Sequence, residues 1–197
     1  LGLSLVPFSF NDDPTRTLMA ANMQRQAVPL INPSAPIVAT GVEETIGRAS
    51  GRVVIAENDG EVLESDSQHI TVRYSDKSKV NYELEKFVKT NQNTSFTQLP
   101  RIMVGEKFKK GDILVDGPSM DHGELALGRN LLAAYMVYEG YNYEDSIIVS
   151  ERLVQDDVLT SIHIKEYVQD IRETKLGDEL ITRDIPNIGE YLLRNLD

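Results

Sequence analysis

Short runs of apolar and β-branched residues, broken by Gly, Asp and Ser, fill the middle of the chain. The stretch GRVVIAENDGEVLESDSQHITVRYSD, from about residue 50 to 75, predicts short strands. Asn58-Asp59-Gly60 inside it is a hairpin-turn signal. Residues 82–98 are polar and predict a short strand followed by a loop. Between Leu99 and Asp116, Gly105 and Gly111 bracket a charged turn between two apolar strands. The apolar run at 131–138 predicts a buried strand, Gly140–Asp145 a turn, and SIIVS the start of another strand. Ser150 predicts the cap of a short helix. Residues 163–171 alternate through Ile162, Ile164, Tyr167 and Val168 and predict a strand, with His163 structural within it. The tail predicts a short amphipathic helix.

Helical signals concentrate near the start. Asp13 can cap a helix, Pro14 suits its first position, and TRTLMAANMQRQ consists mostly of good helix formers. Pro29, Pro33 and Pro36 end it in an extended linker. The expected fold is mainly β with short helices (α+β). Residues 1–40 hold the helix and linker, 41–130 a β unit, and 131–197 strands around an acidic turn with a C-terminal helix.

Composition narrows the chemistry. The chain has 197 residues and no Cys, which excludes a disulfide framework and thiolate metal sites. With only three His, a metal would rest on carboxylates and be a hard ion such as Mg²⁺. No apolar run is long enough to span a membrane. LGLSLVPFSF lacks the basic region and cleavage site of a signal peptide, and the chain reads as a piece of something longer. A net charge of −11 argues against binding nucleic acid unaided. The acidity lies downstream, since residues 1–40 carry only Arg16 and Arg25 against Asp12 and Asp13.

Three constellations can carry chemistry. Arg16 sits in the first turn of the expected helix, where free N–H groups favour anions and a guanidinium can grip phosphate bidentately; it can equally pair with Asp12 or Asp13. Glu144-Asp145 on the GYNYED turn can approach a divalent cation, or be a solvated acidic turn. Asn22 and Arg25, within NMQRQ, suit contacts to a backbone or ligand hydroxyl, or to another part of a parent protein. At about 100° per residue, Arg16 and Arg25 point in opposite directions. Phosphate-cradling Gly-rich loops and the Gly-x-Ser-x-Gly elbow are absent. GEKFKKGDIL is similar to the hammerhead loop of biotinyl and lipoyl barrel-sandwich hybrid domains. The 41–130 unit is therefore expected to be barrel-sandwich-like beside a helical active-centre segment, and a carrier or scaffold module is an alternative, although no Met-Lys-Met tip is present.

Four longer strings resemble the β-subunit family of bacterial multi-subunit RNA polymerases, with plastid and archaeal/eukaryotic relatives: NDDPTRTLMAANMQRQAVP (11–29), TNQNTSFTQLP (90–100), GDILVDGPSMDHGELALGRN (111–130) and GYNYEDSIIVSERLV (140–154). The resemblance implies an internal segment of a DNA-directed RNA polymerase. In that reading Arg16 contacts the triphosphate of the incoming NTP, and Glu144 and Asp145 lie near the nucleotide-borne Mg²⁺, acting indirectly. Arg25 lies near the rifamycin region and RNA, and Asp13 and Asn22 line the same region. The main Mg²⁺ site belongs to the β′ subunit. Further implied partners are the α and ω subunits, sigma factor, DNA template and RNA transcript, in the bacterial cytoplasm (nucleoid) or a plastid. The segment alone is inactive. Phe10-Asn11 and Val137-Tyr138-Glu139 depart from the family's usual residues beside the acidic motifs.

Overall fold

The computed structural model describes residues 1–195, which fall into two compact units, 1–164 and 165 onwards. Helix α1 (Pro14–Arg25) starts as its sequence dictates: Pro14 takes the first helical position and the Asp13 side chain accepts from the Thr15 amide at 2.8 Å. It ends at Gln26, before the prolines.

A second helix, α2 (Glu43–Ala49), has no strong sequence signal. Its start is held by the nearly buried Glu43, whose carboxylate accepts from the Thr40 amide at 2.8 Å, the Thr40 hydroxyl at 3.0 Å and the Gly41 amide at 2.7 Å. Gly47 lets it dock, because a Cβ there would lie 2.1 Å from the Gly123 carbonyl oxygen.

Eleven short strands follow in the first unit: β1 (Val54–Ile55), β2 (Gly60–Ser65), β3 (His69–Tyr74), β4 (Lys79–Glu83), β5 (Val88–Lys89), β6 (Ser95–Phe96), β7 (Leu99–Pro100), β8 (Lys107–Phe108), β9 (Ile113–Asp116), β10 (Met120–Asp121) and β11 (Glu124–Leu125). They pair antiparallel into a four-stranded sheet, β4-β3-β2-β8, a three-stranded sheet, β1-β9-β7, and two small hairpins, β5-β6 and β10-β11. One apolar core joins the larger sheets, with Val62, Ile70 and Val72 from one and Leu114 and Val115 from the other fully shielded. Each such side chain contributes about 1.5–3 kcal/mol by burial. The mainly β expectation holds.

Several local readings are corrected. Asn58-Asp59-Gly60 does not close a hairpin, because β1 pairs with β9 while β2 pairs with β3 and β8. Gly60 serves close packing instead: a Cβ there would meet the Arg73 carbonyl oxygen at 2.5 Å and the Phe108 ring at 2.8 Å. The tight turns of this sheet are built by aspartates. Asp66 accepts from the Gln68 and His69 amides at 2.7 and 2.8 Å, and Asp76 accepts from the Ser78 amide at 2.9 Å.

The apolar run at 131–138 and SIIVS form no strand; both are largely solvent-exposed, with Tyr135 at 99%. A strand needs a partner for its amides and carbonyls, and no described segment supplies one. Within 163–171 only His163 joins a ladder, through an isolated bridge to Thr94. The short helix α3 (Arg152–Gln155) forms, and the Ser150 hydroxyl accepts from the Arg152 amide at 3.3 Å. In the second unit, β12 (Glu173–Thr174) and β13 (Gly177–Asp178) make a hairpin, and α4 (Glu190–Leu193) lies within the expected C-terminal helix.

Burial alone would raise the Glu43 carboxyl, but the hydrogen bonds from Thr40 and Gly41 outweigh it and hold the group below the usual range. A depressed carboxyl stabilises the fold above its unfolded pKa of about 4.3, and that stability is lost as pH falls through the folded value. Glu43→Gln is expected to lower the melting temperature at pH 6. The gap to the parent should narrow as pH falls from the unfolded value of about 4.3 through the lowered folded value, where the parent carboxyl becomes neutral. A gap independent of pH in thermal melts would contradict this assignment.

Candidate functional site

The acidic neighbours of Arg16 are bound elsewhere. The Asp12 carboxylate accepts from the Asp13 amide at 2.8 Å, and the Asp13 carboxylate caps the helix. Arg16 is exposed in the first turn of α1 and forms no ion pair among the described residues; its contact is with the Met19 sulfur at 4.0 Å. Its charge therefore stands beside the positive end of the helix dipole without a carboxylate to neutralise it.

At the other end of α1, Arg25 donates to the Asn22 side-chain oxygen, so these two candidates hold each other. Cationic Arg25 in the last turn is favoured by the negative end of the dipole. Between them α1 exposes Leu18, Met19 and Met23, while Thr17 is buried.

Glu144 and Asp145 lie on the expected turn. Asn142 organises it, donating to the Met136 carbonyl at 2.7 Å and accepting from the Tyr138 amide at 3.0 Å. Glu144 has φ +57°, a left-handed conformation that costs a non-glycine residue about 1 kcal/mol or more. Both carboxylates are exposed and accept no hydrogen bond among the described residues. Carboxylates are the donor type that Mg²⁺ takes, commonly one or two with phosphate and water in its remaining positions. No group of three or more acidic or histidine side chains able to hold a metal exists among the described residues. No hydrogen bond or ion pair joins Arg16 to Glu144 or Asp145 among the described residues.

Sequence reasoning missed the parts that hold the linker after α1 in place. Ser34 bridges to Gly128, and Asn130 donates to the Ala35 carbonyl at 2.7 Å. The Ala35 amide donates to Asp121 at 3.1 Å, and the Ile31 amide to the Thr160 carbonyl at 3.0 Å. Gln24 of α1 donates to the Leu5 carbonyl at 2.8 Å.

Beneath the linker lies a buried polar network. Asp116, 0% exposed, accepts from Arg101 Nε at 2.5 Å and from the His122 and Gly123 amides at 2.7 Å. Arg101 also reaches Asp121 at 3.3 Å, and His122 Nδ1 lies 2.7 Å from Asp121. Burial alone would raise the Asp121 carboxyl, but the Ala35 amide, His122 and Arg101 outweigh it and lower it. The string GDILVDGPSMDHGELALGRN contains Asp116, Asp121 and His122, but only the fold brings Arg101 to them.

Sequence comparison with known proteins places the chain in a family of large polymerase subunits. It belongs to the RNA polymerase Rpb2, domain 6 family, whose model matches residues 55–197. It is 54% identical over 194 residues to DNA-directed RNA polymerase subunit beta of Syntrophomonas wolfei, an alignment covering 98% of this chain and 18% of the relative. It is 56% identical over 200 residues to the subunit of the same name from Lysinibacillus sphaericus, covering 98% and 17%. To that of Streptococcus sanguinis it is 54% identical over 192 residues, covering 98% and 16%. The chain thus spans less than a fifth of the length of these relatives. Helix α1 lies before the family match but within a chain that the relatives cover almost wholly.

Proposed function

We propose that this chain is an internal segment of an RNA polymerase β subunit and contributes contacts to the incoming NTP during DNA-templated RNA synthesis. The observation that carries the reading is the Arg16 guanidinium, exposed at a helix N-terminus and bound to no carboxylate among the described residues. Such a group neutralises charge on a triphosphate and positions it. Glu144 and Asp145 would face the Mg²⁺ that travels with the nucleotide, directly or through water, and that ion would neutralise charge on the departing pyrophosphate. Asp13 fixes the helix start that presents Arg16. Arg25 and Asn22, paired at the far end of α1, would face RNA near the rifamycin region.

The paired sheets of residues 41–130 read as a barrel-sandwich-like unit on which this helical active-centre segment is mounted. The principal Mg²⁺ site would lie on β′, with α, ω and sigma completing the assembly on DNA, in the bacterial cytoplasm or a plastid. No described helix is long and apolar enough to cross a membrane.

Glu144→Ala combined with Asp145→Ala, in polymerase assembled from the full-length subunit, tests the acidic pair. The expected result is a several-fold rise in the Mg²⁺ concentration that half-saturates nucleotide addition, partly offset by excess Mg²⁺. An unchanged Mg²⁺ titration would reduce the turn to a scaffold element.

A further inference from the structure

A cavity of about 290 Å³ lies between the linker after α1 and the β5-β6 hairpin, and nothing in the proposed function uses it. Pro29, Ile31, Phe87 and Met120 are among its apolar lining residues. Its size is at the lower end of small-molecule sites, which combine apolar walls with a few polar groups.

Two of its lining residues are polar and unsatisfied. Lys86 is half-buried and forms no ion pair or hydrogen bond among the described residues. Ser95 is only 9% exposed, and its Oγ is shielded without any hydrogen-bond partner. A buried hydroxyl normally finds a partner, and a partly buried ammonium normally finds an anion. Burial lowers the Lys86 pKa from its ordinary value, the penalty expected where no counter-charge is present. Nearby, Thr97 Oγ1 accepts from the Phe87 amide at 3.3 Å and the Gln98 side chain accepts from the Glu85 amide at 2.9 Å, while Ser119 also lines the cavity.

We propose that this cavity binds a small aromatic carboxylate, with the ring among the proline, isoleucine, phenylalanine and methionine side chains and the carboxylate on Lys86. A change of the Ser95 rotamer would let its hydroxyl donate to the second carboxylate oxygen. The anion is preferred to a neutral ligand because it supplies the counter-charge that the Lys86 ammonium lacks. A single ring system is preferred to a peptide because the volume is small.

The test uses polymerase assembled from the full-length β subunit that carries this segment, with 2-naphthoate and its neutral isostere 2-naphthamide as probes in ligand-observed NMR titrations. The expected Kd for naphthoate is below about 1 mM, the level of a modest ligand efficiency over so few atoms. Naphthamide should bind at least about tenfold more weakly, as for loss of a charged hydrogen bond. Lys86→Met should bring both probes to the same weak level, and Ser95→Ala should weaken naphthoate several-fold. Nucleotide addition should be unchanged in both variants, which shows that they fold. Equal affinity for the two probes in the unmodified polymerase would overturn the proposal without recourse to any variant. So would undetectable binding at millimolar concentration, or naphthoate binding indifferent to Lys86→Met.

Discussion

Arg16→Ala, in polymerase assembled from the full-length subunit, is expected to slow nucleotide addition about 100- to 1,000-fold at saturating NTP. This is the loss of about 2.7–4 kcal/mol typical of removing one preorganised charge aimed at a developing anion. The structure makes the prediction sharp. Asp12 and Asp13 are occupied with backbone amides, so removing Arg16 orphans neither of them and breaks no ion pair among the described residues. The helix start survives, because Asp13 and Pro14 supply it. The rate therefore reports on the guanidinium itself and not on unfolding. Arg16→Lys keeps the charge but loses the planar fork, and an intermediate loss is expected. A slowdown of less than about threefold for Arg16→Ala, a small fraction of a positioned charge's worth, would remove Arg16 from the nucleotide site.

The second large effect concerns folding. Asp116→Ala is expected to destabilise the chain by about 3–5 kcal/mol, the usual cost of removing one partner of a buried pair. For a chain of this size that lowers the melting temperature by roughly 6–20 °C. Three donors lose their acceptor at once: Arg101 Nε and the amides of His122 and Gly123. Arg101 is a quarter exposed and keeps Asp121, so its charge is partly rescued and the lower half of the range is favoured. Asp116→Asn has nearly the same shape but replaces one accepting oxygen with a donor, which faces either the Gly123 amide or Arg101. It should cost nearly as much as Asp116→Ala. Thermal melting of both variants separates this account from simple cavity formation, under which the isosteric Asn would be well tolerated.

The legible parts of this protein are those whose physics is local. Asp13 and Pro14 mark the start of α1 because capping involves residues two positions apart. The prolines at 29, 33 and 36 mark its exit for similar reasons. The strands of residues 60–74 are visible because their β-branched residues face a shared core. The Asn58-Asp59-Gly60 signal misled because Gly60 is used for a close crossing between β3 and Phe108, which resembles a turn glycine in sequence. The run at 131–138 misled because apolar character says what a segment would bury, not whether a partner strand is at hand.

Of the candidate site, the sequence supplied residue types and the family. The motifs around Arg16 and Glu144-Asp145, the missing cysteines and the mainly β pattern were all readable before any coordinate. Only the tertiary structure showed that Asp12 and Asp13 bind backbone amides rather than Arg16, that Arg25 is held by Asn22, and that Arg101 closes the network around Asp116. It also decided which strands pair, and it left Lys86 and Ser95 unsatisfied around one cavity. The division follows from range. Helix caps and turns are settled by energies between near neighbours, which a linear string displays. Strand partners, buried ion pairs and cavities depend on groups brought together by the whole chain's collapse, and no short window of sequence records them.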